Sequence, residues 1–312
     1  MRLETWEARE LFIGTGVRRI ERSPDDFFRD FVAPGLPVII EGGARQWPAF
    51  EKWSDEYLLS TIPSDRKVSV ALTPDGRADA VHGDRFCFPD TKSMTLKDFF
   101  DWPTSSAVAY LQAQNDSLPT EFCELAKDVN ELAWARDAFG GLSPEATNLW
   151  IGDERSATSF HKDNYENVYC VIRGEKRFTL LPPHEGHRLY FEKYKCSTWA
   201  LGDDGTFDLH DASDDAPLVE WSPIDPCRMT QGEGEKTFPR YFSKAWPPPI
   251  TCTVRAGDVL YLPALWLHFV EQARNADGRA CVAVNFWYDL DFRLKGTSWF
   301  AQRLTNALLV KK

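Results

Sequence analysis

The run Asn164-Tyr-Glu-Asn-Val-Tyr-Cys-Val-Ile-Arg-Gly-Glu-Lys-Arg-Phe178 limits the fold more than any other stretch of the chain. It is dense in Val, Ile and Tyr, stops at Gly174-Glu175 and resumes at Lys176, which predicts a hairpin of two adjacent antiparallel strands. The same signature recurs at 148–152, 251–254, 259–262 and 280–288, with Gly and Pro between the runs. Many short strands of this kind predict a mainly β fold with flanking helices, built on a double-sheet, cupin-like jelly roll, the double-stranded β-helix. The core is assigned to 141–290. An N-terminal layer of helices and mixed strands at 1–140 packs on it, and a C-terminal helix covers 291–312.

In the N-terminal layer, apolar spacing predicts helix up to about residue 32, using Leu11, Phe12, Phe27, Phe28, Phe31 and Val32, with a start at Ser23-Pro24. Val38-Ile39-Ile40 reads as a short buried strand, Ser54 caps a helix, and Thr95 caps another within 94–102. Residues 107–112 form a strand that puts Tyr110 and Gln112 on one face. The core is interrupted at 182–250 by an insertion rich in Pro, Asp and aromatics. Its acids Asp203, Asp204, Asp208, Asp211, Asp214 and Asp215 fit a solvated charged loop or an acidic lid over the site mouth.

A net charge of −11 argues against a nucleic-acid surface and leaves room for a basic protein or peptide partner. The first residues lack the apolar segment of a signal peptide and no run is long enough for a membrane span, so a cytoplasmic or nuclear location is expected. The 7 cysteines are scattered and form no Cys-x-x-Cys pair, which predicts reduced thiols and no structural zinc.

Chemistry is concentrated at His161-Lys-Asp163. Two residues apart on extended chain, an imidazole and a carboxylate face one centre, two corners of a facial iron triad. The pattern alone is weak: with 6 histidines and 47 acids in 312 residues, chance supplies such a pair about once, and His82-Gly-Asp84 is a second. His82 lies in a polar turn beside Arg85, where a surface hydrogen bond explains it. His268 lies in the apolar run 259–270 and supplies the distant third ligand. A facial triad leaves three positions open, which suit a bidentate oxo-acid cosubstrate and O₂. Lys176 supplies a cation for the far carboxylate of such an acid, and Thr158, Asn167 and Tyr169 offer hydroxyls and an amide nearby.

These residues, with Leu36-Pro-Val-Ile-Ile-Glu-Gly42, Tyr110-Leu-Gln112, Asn148-Leu-Trp-Ile-Gly152, Ala256-Gly-Asp-Val-Leu-Tyr-Leu-Pro263, Trp266-x-His268 and Val284-Asn-Phe-Trp-Tyr288, resemble the JmjC-domain oxygenases. Leu72-Thr-Pro-Asp-Gly76, Asp79-Ala-Val-x-Gly-Asp-Arg85 and Leu262-Pro-Ala-Leu-Trp266 are similar to the small lysyl hydroxylases among them. The resemblance implies iron held by His161, Asp163 and His268. It implies 2-oxoglutarate held by Lys176 and Thr158, with Tyr110, Asn167 and Tyr169 near its carboxylates and Trp150, Asn285 and Trp287 lining the pocket. The implied reaction couples decarboxylation of 2-oxoglutarate to hydroxylation of a C–H bond of a protein lysine, with GTP-binding proteins as the substrate class. Alternatives are N-methyl-lysine demethylation by the same chemistry and a non-catalytic cupin-like binding protein. A metallopeptidase finds no His-Glu-x-x-His motif here. A homodimer through the C-terminal helix, with Phe300, Leu304 and Leu308 on one apolar face, is expected by resemblance and by that spacing.

Overall fold

A computed structural model describes residues 5–7, 9–14, 16–103 and 107–309; the side chains of Leu11, Phe12 and Leu308 lie outside the described set. Two sheets form the core. The larger has six strands in the order Arg18–Ile20, Val38–Ile40, Val259–Leu262, Tyr165–Arg173, Cys281–Asp289, Ala146–Gly152. The smaller has five, in the order Ile250–Arg255, Glu175–Leu181, Leu267–Ala273, Ala157–His161, Arg77–Ala78. Pairing is antiparallel except at the two edges contributed by the N-terminal region, Arg18–Ile20 on Val38–Ile40 and Arg77–Ala78 on Ala157–His161.

Successive core strands change sheet, and this corrects the predicted hairpin. Tyr165–Arg173 pairs with Val259–Leu262 and Cys281–Asp289, whereas Glu175–Leu181 pairs with Ile250–Arg255 and Leu267–Ala273. One residue, Gly174, carries the chain across. Its φ is +75°, and a Cβ there would come within 2.5 Å of the Ala273 carbonyl oxygen, so only glycine makes the crossing. Lys176 thus faces Tyr169 from the opposite sheet rather than from a neighbouring strand.

Alternation along each strand sorts the side chains between layers. On Tyr165–Arg173, Tyr169 and Val171 enter the space between the sheets with Phe178, Leu180, Val254 and Val270 of the smaller sheet. Val168, Cys170 and Ile172 face the other way, where Phe27, Phe31, Trp47, Trp53 and Leu58 of the N-terminal layer cover them. The outer face of the smaller sheet would be bare without the insertion. Instead Leu189, Ile224 and Tyr241 pack on Phe160, Leu267 and Phe269.

The insertion is therefore no loop. It contains strands Glu192–Leu201, Phe207–Asp211 and Val219–Trp221 and helices Gln231–Thr237 and Pro239–Phe242. Its acids are exposed on and beside the Phe207–Asp211 hairpin, where Asp211 pairs with Arg85 and Asp214 with Lys195, so they form a solvated surface rather than a lid. The N-terminal helix is also corrected. Among the described residues up to 32 the helical stretches are short, 5–7 and the π-helical turns Arg9–Ile13 and Phe28–Val32, and Asp26, not Ser23, accepts from the backbone N–H of Arg29. Pro24 and two consecutive acids hold the chain in turns there. Ser54 and Thr95 cap their helices as predicted, Thr95 within a capping box. The C-terminal helix spans Phe292–Leu309. Among the described residues no helix is long and apolar enough to cross a membrane, and the cysteines are free.

Candidate active site

His161 closes the strand Ala157–His161, and Asp163 lies in the segment that crosses to the other sheet. The two do not share one strand, as their spacing suggested. His161 and His268 are cross-strand partners, and a bulge between Thr158 and His161 sets the register. Thr158 and His161 are three apart, so strict alternation would aim them to opposite faces; the extra residue turns both toward the interior. Asp163 is fixed by its backbone carbonyl, which accepts from Leu265 N–H at 2.9 Å. Leu265 is buried with a φ of 70°, a conformation a leucine adopts only when its surroundings impose it.

The three side chains converge. Nε2 of His161 lies 3.7 Å from Asp163 Oδ1, and Nε2 of His268 lies 3.6 Å from Asp163 Oδ2. Among the described residues this is the group of His, Cys, Asp and Glu whose ligand atoms all fall within 4.8 Å of one another. Nδ1 of His161 meets the Ser159 carbonyl at 2.8 Å, and Nδ1 of His268 meets the Trp266 carbonyl at 2.9 Å. A carbonyl only accepts, so each Nδ1 carries the hydrogen and each Nε2 presents its lone pair to the shared centre. Burial, reinforced by His161 and opposed by Asp163, pushes His268 down to about 4, which keeps it a neutral ligand. His82 is elsewhere: it meets Trp199 edge to face, and Asp84 pairs with Arg85.

Beside the triad opens a narrow cavity. Tyr110, Trp150, Thr158, Asn167, Tyr169, Asn285 and Trp287 all line it, together with Gln114, Phe178 and Val270, which sequence reasoning did not single out. Trp150 Nε1 donates to Asn285 Oδ1 at 2.7 Å, and Asn285 Nδ2 donates to Asn167 Oδ1 at 3.1 Å, a chain that leaves the Asn167 amide nitrogen as the free donor. Trp287 stacks on Tyr165, its indole N–H buried without a partner among the described residues. Burial raises the Tyr169 phenol well above its ordinary value, so it stays a donor.

Lys176 is 1% exposed, behind the aromatic wall of this cavity. Its ammonium donates to the Tyr110 hydroxyl at 2.9 Å and to Gln272 Oε1, and lies 5.2 to 5.9 Å from the ring centres of Tyr110, Trp150 and Tyr169. Among the described residues no carboxylate pairs with it. A buried cation without a counter-ion is costly unless an anion completes it. Gln272 was not anticipated; nothing in its sequence context distinguishes it, because the register of two strands brings it to Lys176.

Trp221, from the insertion, reaches the triad. Its ring stacks on His161, and its Nε1 donates to Ser159 Oγ at 2.8 Å. Asp79 also approaches from the edge of the smaller sheet; burial raises its carboxyl above the usual carboxylate range, and His161 and Gln112 oppose the shift.

A cupin-like double sheet with a two-histidine, one-carboxylate centre beside a buried lysine defines the class. The chain belongs to the cupin-like JmjC family, whose cupin-like domain it matches over residues 24–294. It is 42% identical over 301 residues to lysine-specific demethylase JMJ32 of Arabidopsis thaliana, covering 93% of this chain and 86% of that protein. It is 41% identical over 295 residues to the human bifunctional peptidase and (3S)-lysyl hydroxylase JMJD7, covering 92% of this chain and 89% of that protein. A third relative, JmjC domain-containing protein E of Dictyostelium discoideum, is 34% identical over 335 aligned positions, 96% of this chain and 94% of that protein.

Proposed function

We propose that the protein is an Fe(II)- and 2-oxoglutarate-dependent oxygenase that hydroxylates a lysine side chain of a partner protein. The observation that carries this reading is the pairing of a metal-competent triad with a buried ammonium, without a counter-ion among the described residues, directly behind the Tyr110, Trp150 and Tyr169 wall of the cavity beside that triad. Both implied groups fit the residues present. His161, Asp163 and His268 offer one carboxylate and two neutral imidazoles, the donor set of non-haem Fe(II) oxygenases. Lys176 and Tyr110 would receive the far carboxylate of 2-oxoglutarate, and Thr158 and the Asn167 amide offer further polar contacts. Bound together, iron and 2-oxoglutarate supply the oxidising power for C–H hydroxylation, with O₂ as oxidant.

The chain's own residues do the positioning. The bulge and the Leu265 contact aim the ligands, Lys176 orients the cosubstrate, and Trp150, Tyr169 and Phe178 keep water from its apolar methylenes. The relatives' names divide between lysyl hydroxylation, lysine demethylation and peptidase activity. Demethylation uses the same centre and is the second reading, on the strength of the 42% identical relative. A peptidase finds no His-Glu-x-x-His motif in this chain. Mass spectrometry of lysine-bearing and N-methyl-lysine-bearing candidate proteins, each incubated with the iron-loaded protein, 2-oxoglutarate and air, separates the readings. Hydroxylation adds one oxygen to the lysine residue, and demethylation removes methyl groups.

We also propose a homodimer. Trp299, Phe300 and Leu304 on the C-terminal helix are 39%, 61% and 45% exposed, and Phe292 and Leu294 at its start are 58% and 40% exposed. An apolar strip of this extent on one helix suits a second copy of the same helix.

A further inference from the structure

We infer that Asp79 is the receptor for the ε-ammonium of the substrate lysine, an assignment that rests on the lysine-modifying reading above. Asp79 follows the edge strand Arg77–Ala78, whose partner Ala157–His161 carries the first metal ligand. Its φ is 53°, one of four positive values at non-glycine positions among the described residues. That conformation is held from the triad side. The Asp79 carbonyl accepts from Ser159 Oγ at 2.6 Å, and the Ser159 carbonyl meets His161 Nδ1. One serine thus fixes the acid and the metal ligand relative to each other.

The carboxylate itself is left open. Among the described residues its one hydrogen-bond donor is Gln112 Nε2, at a long 3.4 Å, and no lysine or arginine pairs with it. The neighbouring acids behave otherwise: Asp75 pairs with Arg228, Asp84 with Arg85 and Asp225 with Arg77. Arg77, two residues away, is thereby committed to Asp225 and to the Arg155 carbonyl. A half-buried carboxylate, fixed by strained backbone beside the metal ligands and lacking a cation, is arranged to receive one from outside.

Its surroundings agree. Gln112 lies on the same short stretch as Tyr110, which contacts Lys176, and Gln114, which lines the cavity. The cavity therefore has a cation behind its wall of Tyr110, Trp150 and Tyr169, for an oxo-acid, and an anion linked to the triad through Ser159, for an amine. An ammonium held by Asp79 brings the methylene chain of a lysine up to His161 and His268. A side chain of equal length without the amine would make the same apolar contacts and lose this one.

The test compares N-acetyl-lysine methylamide with N-acetyl-norleucine methylamide, both at millimolar concentration, by ligand-observed NMR on the zinc-loaded full chain. The wild type should bind the lysine amide at least about tenfold more tightly, the difference made by a charge-assisted hydrogen bond. Asp79→Asn keeps the backbone contact to Ser159 and should bring the lysine amide down to the norleucine level at unchanged zinc stoichiometry and melting temperature. Asp79→Glu retains the charge and should keep a reduced preference for lysine, and it decides the matter if Asp79→Asn does not fold. Equal binding of both amides by the wild type, or an undiminished lysine preference in Asp79→Asn, would overturn the assignment. Peptide-independent succinate formation by the iron-loaded wild type reports on the oxygenase reading alone. Its absence beside an intact, Asp79-dependent lysine preference would remove the reaction and leave the amine site standing.

Discussion

The indole ring of Trp221 lies parallel to the imidazole of His161, with 5° between the planes and 6.0 Å between the centres. A residue of the insertion therefore backs a metal ligand of the core. Through its N–H it also holds Ser159, whose carbonyl orients that ligand. Trp221→Ala should weaken metal binding about tenfold, in the range of outer-shell partners of ligating histidines. Trp221→Phe, which keeps a ring but loses the Ser159 bond, should fall between. Calorimetric titration of the apo-protein with Zn(II) measures both.

The bonds of the buried Lys176 depend on a glycine. A Cβ at Gly152 would lie 2.3 Å from Gln272 Nε2 and 2.6 Å from the Tyr110 ring, and these two residues hold the Lys176 ammonium. Gly152→Ala should raise the KM for 2-oxoglutarate about tenfold by displacing bonds to a charged group. It should also cost about 1–3 kcal/mol of stability through overpacking. Steady-state kinetics and urea unfolding read the two effects separately.

His187 supplies a pH dependence outside the metal centre. It is 2% exposed and neither ring nitrogen has a hydrogen-bond partner among the described residues. Burial, helped by Arg188 and Arg240 against Glu185, pushes it from 6.5 down to about 4. Because the folded value is depressed, the unfolded chain binds the proton more readily below pH 6.5. The stability that this neutral imidazole preserves at pH 7 is thus lost progressively as pH falls from about 6.5 to about 4. His268 loses stability over the same window in the apo-protein. His187→Phe should flatten part of the slope of melting temperature against pH, and leave the part due to His268.

If the exposed strip on Phe292–Leu309 seats a second copy, Leu304→Arg should convert the dimer to a monomer at micromolar concentration. Light scattering that shows a monomer in the wild type, unchanged by Leu304→Arg, would dispose of the dimer.

Much of the fold is legible in the run from Asn164 to Phe178, because β-branched and aromatic density marks strands whichever sheet they join. What the run does not encode is its partners. A hairpin and a sheet crossing differ by the geometry at Gly174, where the Ala273 carbonyl, about a hundred residues away, decides the matter. Likewise His161, Asp163 and His268 are readable as ligand types, but the bulge at Ser159-Phe160 and the left-handed Leu265 that aim them are set by tertiary contacts. The insertion was least readable. Its charge pointed to solvent, while among its apolar residues Leu189, Ile224 and Tyr241 carry packing on the smaller sheet and Trp221 the link to the site.

The central claim is that triad and buried lysine serve one reaction. Its most direct measurement is the conversion of 2-oxoglutarate to succinate, followed by NMR with the iron-loaded protein in air. Succinate should form in the wild type, and its rate should fall to background in Asp163→Ala and drop steeply in Lys176→Met. Equal succinate formation by the wild type and Asp163→Ala, or none from the iron-loaded wild type, would contradict the account.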